Sequence, residues 1–311
     1  MSVSSSPQQR LPGRGLRTTR ARSLLGAAGV VVGIALLQGL PVAVAGEPDL
    51  MQTLLAQDVT LNNNLMPLGI EWEKSREGRR IAYGFGLEKQ LSQRLEIELD
   101  GQWDSFSPRQ GRDSGGVGSV DITLRYVFLT LPEQGFSFAA IGDLSLPANS
   151  RIGEVPMYPE SGTALAWGGR LKGLPERGWT KYLRALEIQG DLGYSRFFNG
   201  SGSAEFFADP VFDYSFPYLN YETAGSVPWW LRYFCPFAEL NILRVVGDGH
   251  DGPSQLFFMP GLALMTQTYQ VSAGAQIALN DEAVHDKQVA VVASLLVFLD
   301  AIDPRFAWTP F

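Results

Sequence analysis

Three carboxylates fall on alternate positions of one short run, Glu96-Ile97-Glu98-Leu99-Asp100. In extended backbone, successive side chains point to opposite faces, so these three share a face at a spacing of about 7 Å. Glu71, Glu88, Asp121, Glu187 and Asp191 occupy the same polar parity in neighbouring runs, and Arg125 is among the few bases that answer them. Rings of carboxylates around a conduit favour cations. The same groups, paired with arginines and water, would instead fill a narrow interior. The residues alone leave both readings open.

Other chemistry is sparse. The two histidines lie in polar loops, His250 near Asp248 and Asp251, and His285 beside Asp286. Solvated loop positions suit them better than a ligand set, so no metal site is expected. No Ser-His-Asp set can be assembled and no G-x-S-x-G occurs, so the chain is not expected to be an enzyme. Neither a catalytic residue nor a cofactor is assigned. Gly84-Phe85-Gly86 and Gly116-Val117-Gly118 sit inside alternating runs and read as packing glycines, not phosphate loops. The single Cys235 excludes an intrachain disulfide framework and a cysteine zinc cluster. Near Trp229 and Trp230, it reads as a small buried hydrophobe.

The acids ride on strands. From Arg80 to Trp103, Ile81, Tyr83, Phe85 and Leu87 alternate with small or charged residues, and Leu95, Ile97 and Leu99 alternate with acids after a turn at Ser92–Arg94. Period two over this length predicts a hairpin. The rhythm recurs in Leu65–Glu73, Val120–Phe128, Phe136–Leu146, Thr163–Leu171, Tyr182–Tyr194, Glu205–Phe216, Phe237–Val245, Leu256–Met265, Tyr269–Leu279 and Val289–Asp300. The count is about twelve. Short turns alternate with longer Gly/Ser-rich loops, as in bacterial outer-membrane barrels. Pro217–Pro236 breaks the pattern and suits a short helix.

Alternation does not say which face meets the oil. In a soluble sandwich the apolar face looks into the core; in a membrane barrel it looks out to lipid. Three features favour the barrel. Trp72, Trp103, Tyr126, Phe128 and Phe136 lie near strand ends, as interfacial aromatics do. Strand lengths suit a tilted bilayer crossing. The N-terminus reads as an export signal, with five arginines and no acid, the apolar run Leu24–Leu40, and the small-x-small site Ala43-Val44-Ala45. Its removal takes 5 of the 25 basic residues and leaves 20 against 32 acidic ones, a formal −12 that argues against a nucleic-acid partner. The fold expected is all-β, an antiparallel transmembrane β-barrel. The expected segments are a signal peptide (1–45), a periplasmic leader (46–64), the barrel (65–300) and a C-terminal tail (301–311). The expected location is the bacterial outer membrane.

Several segments resemble a known family, the outer-membrane β-barrel group associated with phenol meta-degradation or transport. They are Leu91–Leu99, Gly118–Leu129, Ala185–Ser195, Asp213–Tyr221, Met259–Asn280 and Val297–Pro304. The resemblance implies an outer-membrane channel or uptake role and carries no catalytic residue across. Its partners would be outer-membrane lipid, an unknown small solute and the barrel-assembly machinery. The alternative is a closed structural or assembly barrel with a periplasmic docking segment at 217–236.

Overall fold

The computed structural model describes residues 50–62, 65–149, 151–152, 155–198, 203–246 and 252–310. The segment read as a signal peptide, the first residues of the leader, His250 with Asp248 and Asp251, and Phe311 lie outside the described residues.

The period-two runs form one antiparallel sheet. β1 (Leu65–Lys74), β2 (Gly78–Gln90), β3 (Leu95–Pro108), β4 (Ser114–Leu131), β5 (Phe136–Pro147), β6 (Glu160–Arg170) and β7 (Leu186–Phe197) pair each with the next. β8 comes in two segments, Ala204–Ala208 and Val211–Tyr214, which share both neighbours and keep one register. They are one strand interrupted at Asp209-Pro210, where proline lacks the ladder donor. The Asp209 N–H still reaches the Asp191 carbonyl, and the Leu240 N–H reaches that of Pro210. β9 (Phe234–Val246), β10 (Gln255–Met265), β11 (Tyr269–Ala278) and β12 (Val289–Phe298) follow. β12 pairs with β1 from Leu65 opposite Phe298 to Lys74 opposite Val289. The result is a closed barrel of twelve strands, in which no strand edge is left open.

The start of β1 and the end of β12 share one rim, here the terminal rim. It carries the tight turns 91–94, 132–135 and 266–268, and two longer connections. The first holds α1 (Thr180–Leu183), so the strand expected from Tyr182 begins only at Leu186. The second holds α2 (Phe216–Glu222). Its Ser215 side chain accepts from the Tyr218 N–H, and Pro217 sits in the first turn, a strong helix start. Pro236 is not in that connection but in β9. Its place is tolerated because β8 has already turned away at Tyr214, so no ladder partner waits for the missing N–H. At the opposite, loop rim, α3 (Asp281–Asp286) starts on Asn280, whose side chain accepts from the Ala283 N–H. After β12 the tail forms α4 (Leu299–Ile302) and a 3-10 turn, Pro304–Ala307, and Lys89 reaches the carbonyls of Phe306 and Trp308.

Burial inverts that of a soluble protein. On β2, Arg80, Ala82 and Glu88 are buried, while Tyr83, Phe85 and Leu87 are 41%, 59% and 44% exposed. On β3, Glu96, Glu98 and Asp104 are buried, and Leu99 and Trp103 are exposed. On β4, Ser119, Asp121, Thr123 and Arg125 are buried against exposed Val120, Leu124, Tyr126 and Phe128. A continuous apolar outer wall around a charged interior suits hydrocarbon outside and cannot suit water there. No helix among the described residues is long and apolar enough to cross a membrane; the strands make the crossing.

Candidate functional site: the barrel lumen

The interior is built from the inward parity of every strand and has three parts. The first lies toward the loop rim. Arg80 bonds Asp104 through Nε at 2.8 Å and Nη2 at 2.7 Å, with Glu71 and Glu73 at 3.8 and 3.6 Å from Nη1. Lys287, leaving α3, turns inward and places Nζ 2.7 Å from Glu71 and 3.6 Å from Glu73. A loop residue is thereby locked onto strand acids. Beside it, Ala283 of α3 joins Phe207, Leu243 and Phe257 in an apolar cluster under the loop. Gly193 leaves room for the Phe207 ring, since a Cβ there would lie 2.1 Å from its Cζ.

The second part is carried by β3 and β4. Arg125 is buried and ion-paired with Glu96, and its Nη2 is 3.6 Å from Glu98. Breaking such a buried pair costs about 3–5 kcal/mol, because the partner charge is then stranded. Above it, Asp100 stands opposite Asp121, and Thr123 stands between Glu98 on β3 and Asp143 on β5. Asp121 accepts from the Ser119 hydroxyl at 3.0 Å.

The third part is the leader. It was expected in the periplasm, outside the barrel, yet Met51–Ala56, Asp58, Val59 and Asn62 are buried inside it. The reason is twofold. Met51, Leu54 and Leu55 pack with Cys235, Phe237, Met259, Ala263, Met265 and Val292, an apolar patch on the interior of β9, β10 and β12. Val59 packs on Ala139, Ile141 and Ala166 of β5 and β6. The leader has no regular structure, so its buried N–H groups need acceptors, and the wall acids supply them. The Met51 N–H donates to Glu187 at 3.0 Å, those of Leu54 and Leu55 to the two oxygens of Glu239 at 2.7 and 2.9 Å, and that of Gln57 to Asp191 at 3.0 Å. The Asn62 N–H donates to Glu96, and its side-chain amide donates to Glu88 at 2.7 Å. The Gln270 side chain takes the Gln52 N–H at 3.0 Å and gives to the Gln52 carbonyl at 2.7 Å, as a paired strand would. The Gln189 amide donates to the Met51 carbonyl at 2.8 Å. Thr53 and Asp58 close the leader on itself: the Thr53 N–H and hydroxyl both donate to Asp58, each at 2.9 Å.

Of the residues read as lumen-lining, Glu71, Glu88, Glu96, Glu98, Asp121, Arg125, Glu187 and Asp191 are buried, and Asp100 is half-buried. They do not form a single ring. Glu88, Glu96, Glu187 and Asp191 touch the leader, Glu96 and Glu98 touch Arg125, and Glu71 belongs to the Arg80–Lys287 network. Among the aromatics, Trp103 is outward, 5.7 Å from the Tyr83 ring; Tyr126 and Phe128 are exposed on β4; Trp72 and Phe136 are half-buried. His285 is exposed and its Nδ1 lies 2.9 Å from Arg76 Nη1. Among the described residues, no three His, Cys, Asp or Glu side chains converge as a metal site. Sequence reasoning missed the leader's place and the glutamines that hold it, Gln189 and Gln270. The available signal was Met51, Leu54, Leu55 and Val59, apolar residues in a segment that otherwise had no reason to carry them.

An inverted, closed, twelve-stranded antiparallel barrel with a polar interior decides the class. The fold is that of an outer-membrane β-barrel. The chain is similar to an outer-membrane channel from Pseudomonas putida F1, at 11% identity and a TM-score of 0.55, over 79% of this chain and 99% of that one. It also aligns with LpxR from Salmonella typhimurium (8% identity, TM-score 0.43, 76% and 99% of the chains). A third match is the KdgM porin in complex with disordered oligogalacturonate (9% identity, TM-score 0.40, 73% and 97%). No family model and no curated protein match the chain.

Proposed function

We propose that this barrel is a channel for small solutes with a preference for cations. The observation that carries the reading is the composition of the interior. Among the described residues, carboxylates outnumber bases there, and Asp100 and Asp121 stand opposite each other in the register of β3 and β4. Paired acids on a narrow wall attract cations and repel anions. The similarity to an outer-membrane channel supports the same reading at the level of fold. A link to the phenol meta-degradation group, an unknown small solute, export through a cleaved signal peptide and insertion by the barrel-assembly machinery belong to this proposal as well. It includes no enzymatic activity.

Planar-bilayer recording in a salt gradient tests it. The expected result is discrete conductance steps with a cation-selective reversal potential, moved toward zero by Asp100→Asn with Asp121→Asn. A folded, inserted protein that passes no current under any condition contradicts it.

One observation favours a closed structural barrel instead: leader and side-chain networks occupy much of the interior. The exposed Trp229 and Trp230 in the connection between α2 and β9 would then face a partner at the terminal rim. The same recording separates the two readings.

A further inference from the structure

We propose that residues 50–62 are a displaceable plug, and that their departure from the lumen opens the channel. The inference rests on the channel reading and adds its regulation.

The way the leader is held is the argument. Every strand is tied to its neighbours by a backbone ladder. Among the described residues, no backbone–backbone hydrogen bond ties the leader to a strand. Side chains of the wall hold it: Glu96, Glu187, Asp191 and Glu239 accept its N–H groups, Gln189 and Gln270 meet its carbonyls, and Arg125 reaches the Thr60 carbonyl at 3.4 Å. Its removal therefore breaks no ladder bond and leaves the closed sheet intact. The groups it leaves behind are carboxylates and amides that water or a passing solute can satisfy. The apolar hold comes from Leu50, Met51, Leu54, Leu55 and Val59.

Geometry gives a route. The leader joins β1 at the terminal rim, so the segment leaves by that rim, which in outer-membrane barrels faces the periplasm. Its own turn, closed by Thr53 and Asp58, lets it move as a compact unit. Beneath it lies the single cysteine. Cys235 is fully buried in the cluster made by Met51, Leu54 and Leu55, so thiol reactivity reports where the leader is.

The test compares the full mature chain with a variant lacking 50–62 and with Leu54→Ser/Leu55→Ser, which keeps the chain length. Conductance in planar bilayers and Cys235 labelling by a membrane-impermeant maleimide are read on each. The proposal expects rare openings and slow labelling in the parent. Open probability and labelling rate should rise in the serine variant by about a hundredfold or more, the shift expected when two buried leucines holding one of two states are lost. If parent and both variants conduct alike and label alike, the plug is overturned while the channel stands. If all three insert as folded barrels and none conducts, the channel reading falls and the plug with it. Should the deletion fail to fold, the serine variant alone decides.

Discussion

The β3–β4 wall and the β9–β10 wall solve the same problem in opposite ways. Both must fill space inside a barrel that turns most of its large apolar side chains outward. On β3 and β4 the filling is charge on charge: Arg125 grows from the wall and meets Glu96 and Glu98 of the adjacent strand. That filling cannot leave. On β9 and β10 the wall is lined by Cys235, Phe237, Met259, Ala263 and Met265, with Glu239 among them, and their partner is a separate segment. The difference separates acids that only hold the barrel or only hold the leader, such as Glu98 and Glu239, from Glu96 and Glu187, which pair with Arg125 and Arg170 and also accept leader N–H groups. Carboxylates that look alike in a strand therefore have different partners and different consequences when removed.

The largest effect should come from breaking the fixed wall. Arg125→Met strands Glu96 and Glu98 in a buried site, and we expect a loss of about 3–5 kcal/mol. Urea unfolding in detergent micelles or lipid vesicles measures it. Next comes the outer face of the same wall. Leu99 is exposed on β3, and Leu99→Arg should cost about 2–4 kcal/mol if it faces the bilayer midplane. The same substitution would be nearly neutral if that face met water, so the pair of variants checks the inverted polarity directly.

A smaller effect should appear on the removable side. Glu239→Ala orphans the Leu54 and Leu55 N–H groups, at a cost of about 1–3 kcal/mol on leader docking. Barrel unfolding should shift less than in Arg125→Met, whereas maleimide labelling of Cys235 should quicken. Equal losses of barrel stability in the two variants would erase the distinction between the walls.

The smallest effect lies outside the strands. Burial draws the Glu222 carboxyl upward, but the Tyr218 hydroxyl at 2.7 Å and Arg184 at 3.1 Å outweigh it and hold it below the usual glutamate value. A carboxyl depressed in the folded state adds stability that is present above its unfolded pKa, and this is lost as pH falls through the folded one. Glu222→Gln should therefore weaken the docking of α2 by less than about 1 kcal/mol near neutral pH. The difference from the parent should shrink in acid, as read by hydrogen exchange of residues 216–222.

Much of this architecture was legible because period two is a local property. The runs at Arg80–Trp103 and Gly118–Phe128 announce their own two faces, and closure into a barrel follows from the number of runs and the turns between them. What was not legible is non-local. The alternation around Tyr182 says nothing of the helical turn at Thr180–Leu183, and Pro236 looks like a strand breaker until β8 is seen to end before it. The leader is the clearest case. Its N–H groups choose Glu187, Glu239, Asp191 and Glu96, acids from β7, β9 and β3 that only closure of the sheet brings around one lumen. The parity of those acids was readable, but their partner was not, because a segment without periodicity gives no sign of where it docks.

Hydrogen exchange on the barrel in lipid bilayers tests the central distinction most directly. The amides of Met51, Leu54, Leu55 and Gln57 are bonded to side chains of the wall, while those of β3 and β4 are bonded in the ladder. The account predicts that the leader amides exchange well before the β3–β4 amides under conditions where the barrel stays folded, because they open by local release. Leader amides as protected as those of β3 and β4, exchanging only when the whole barrel unfolds, would contradict it.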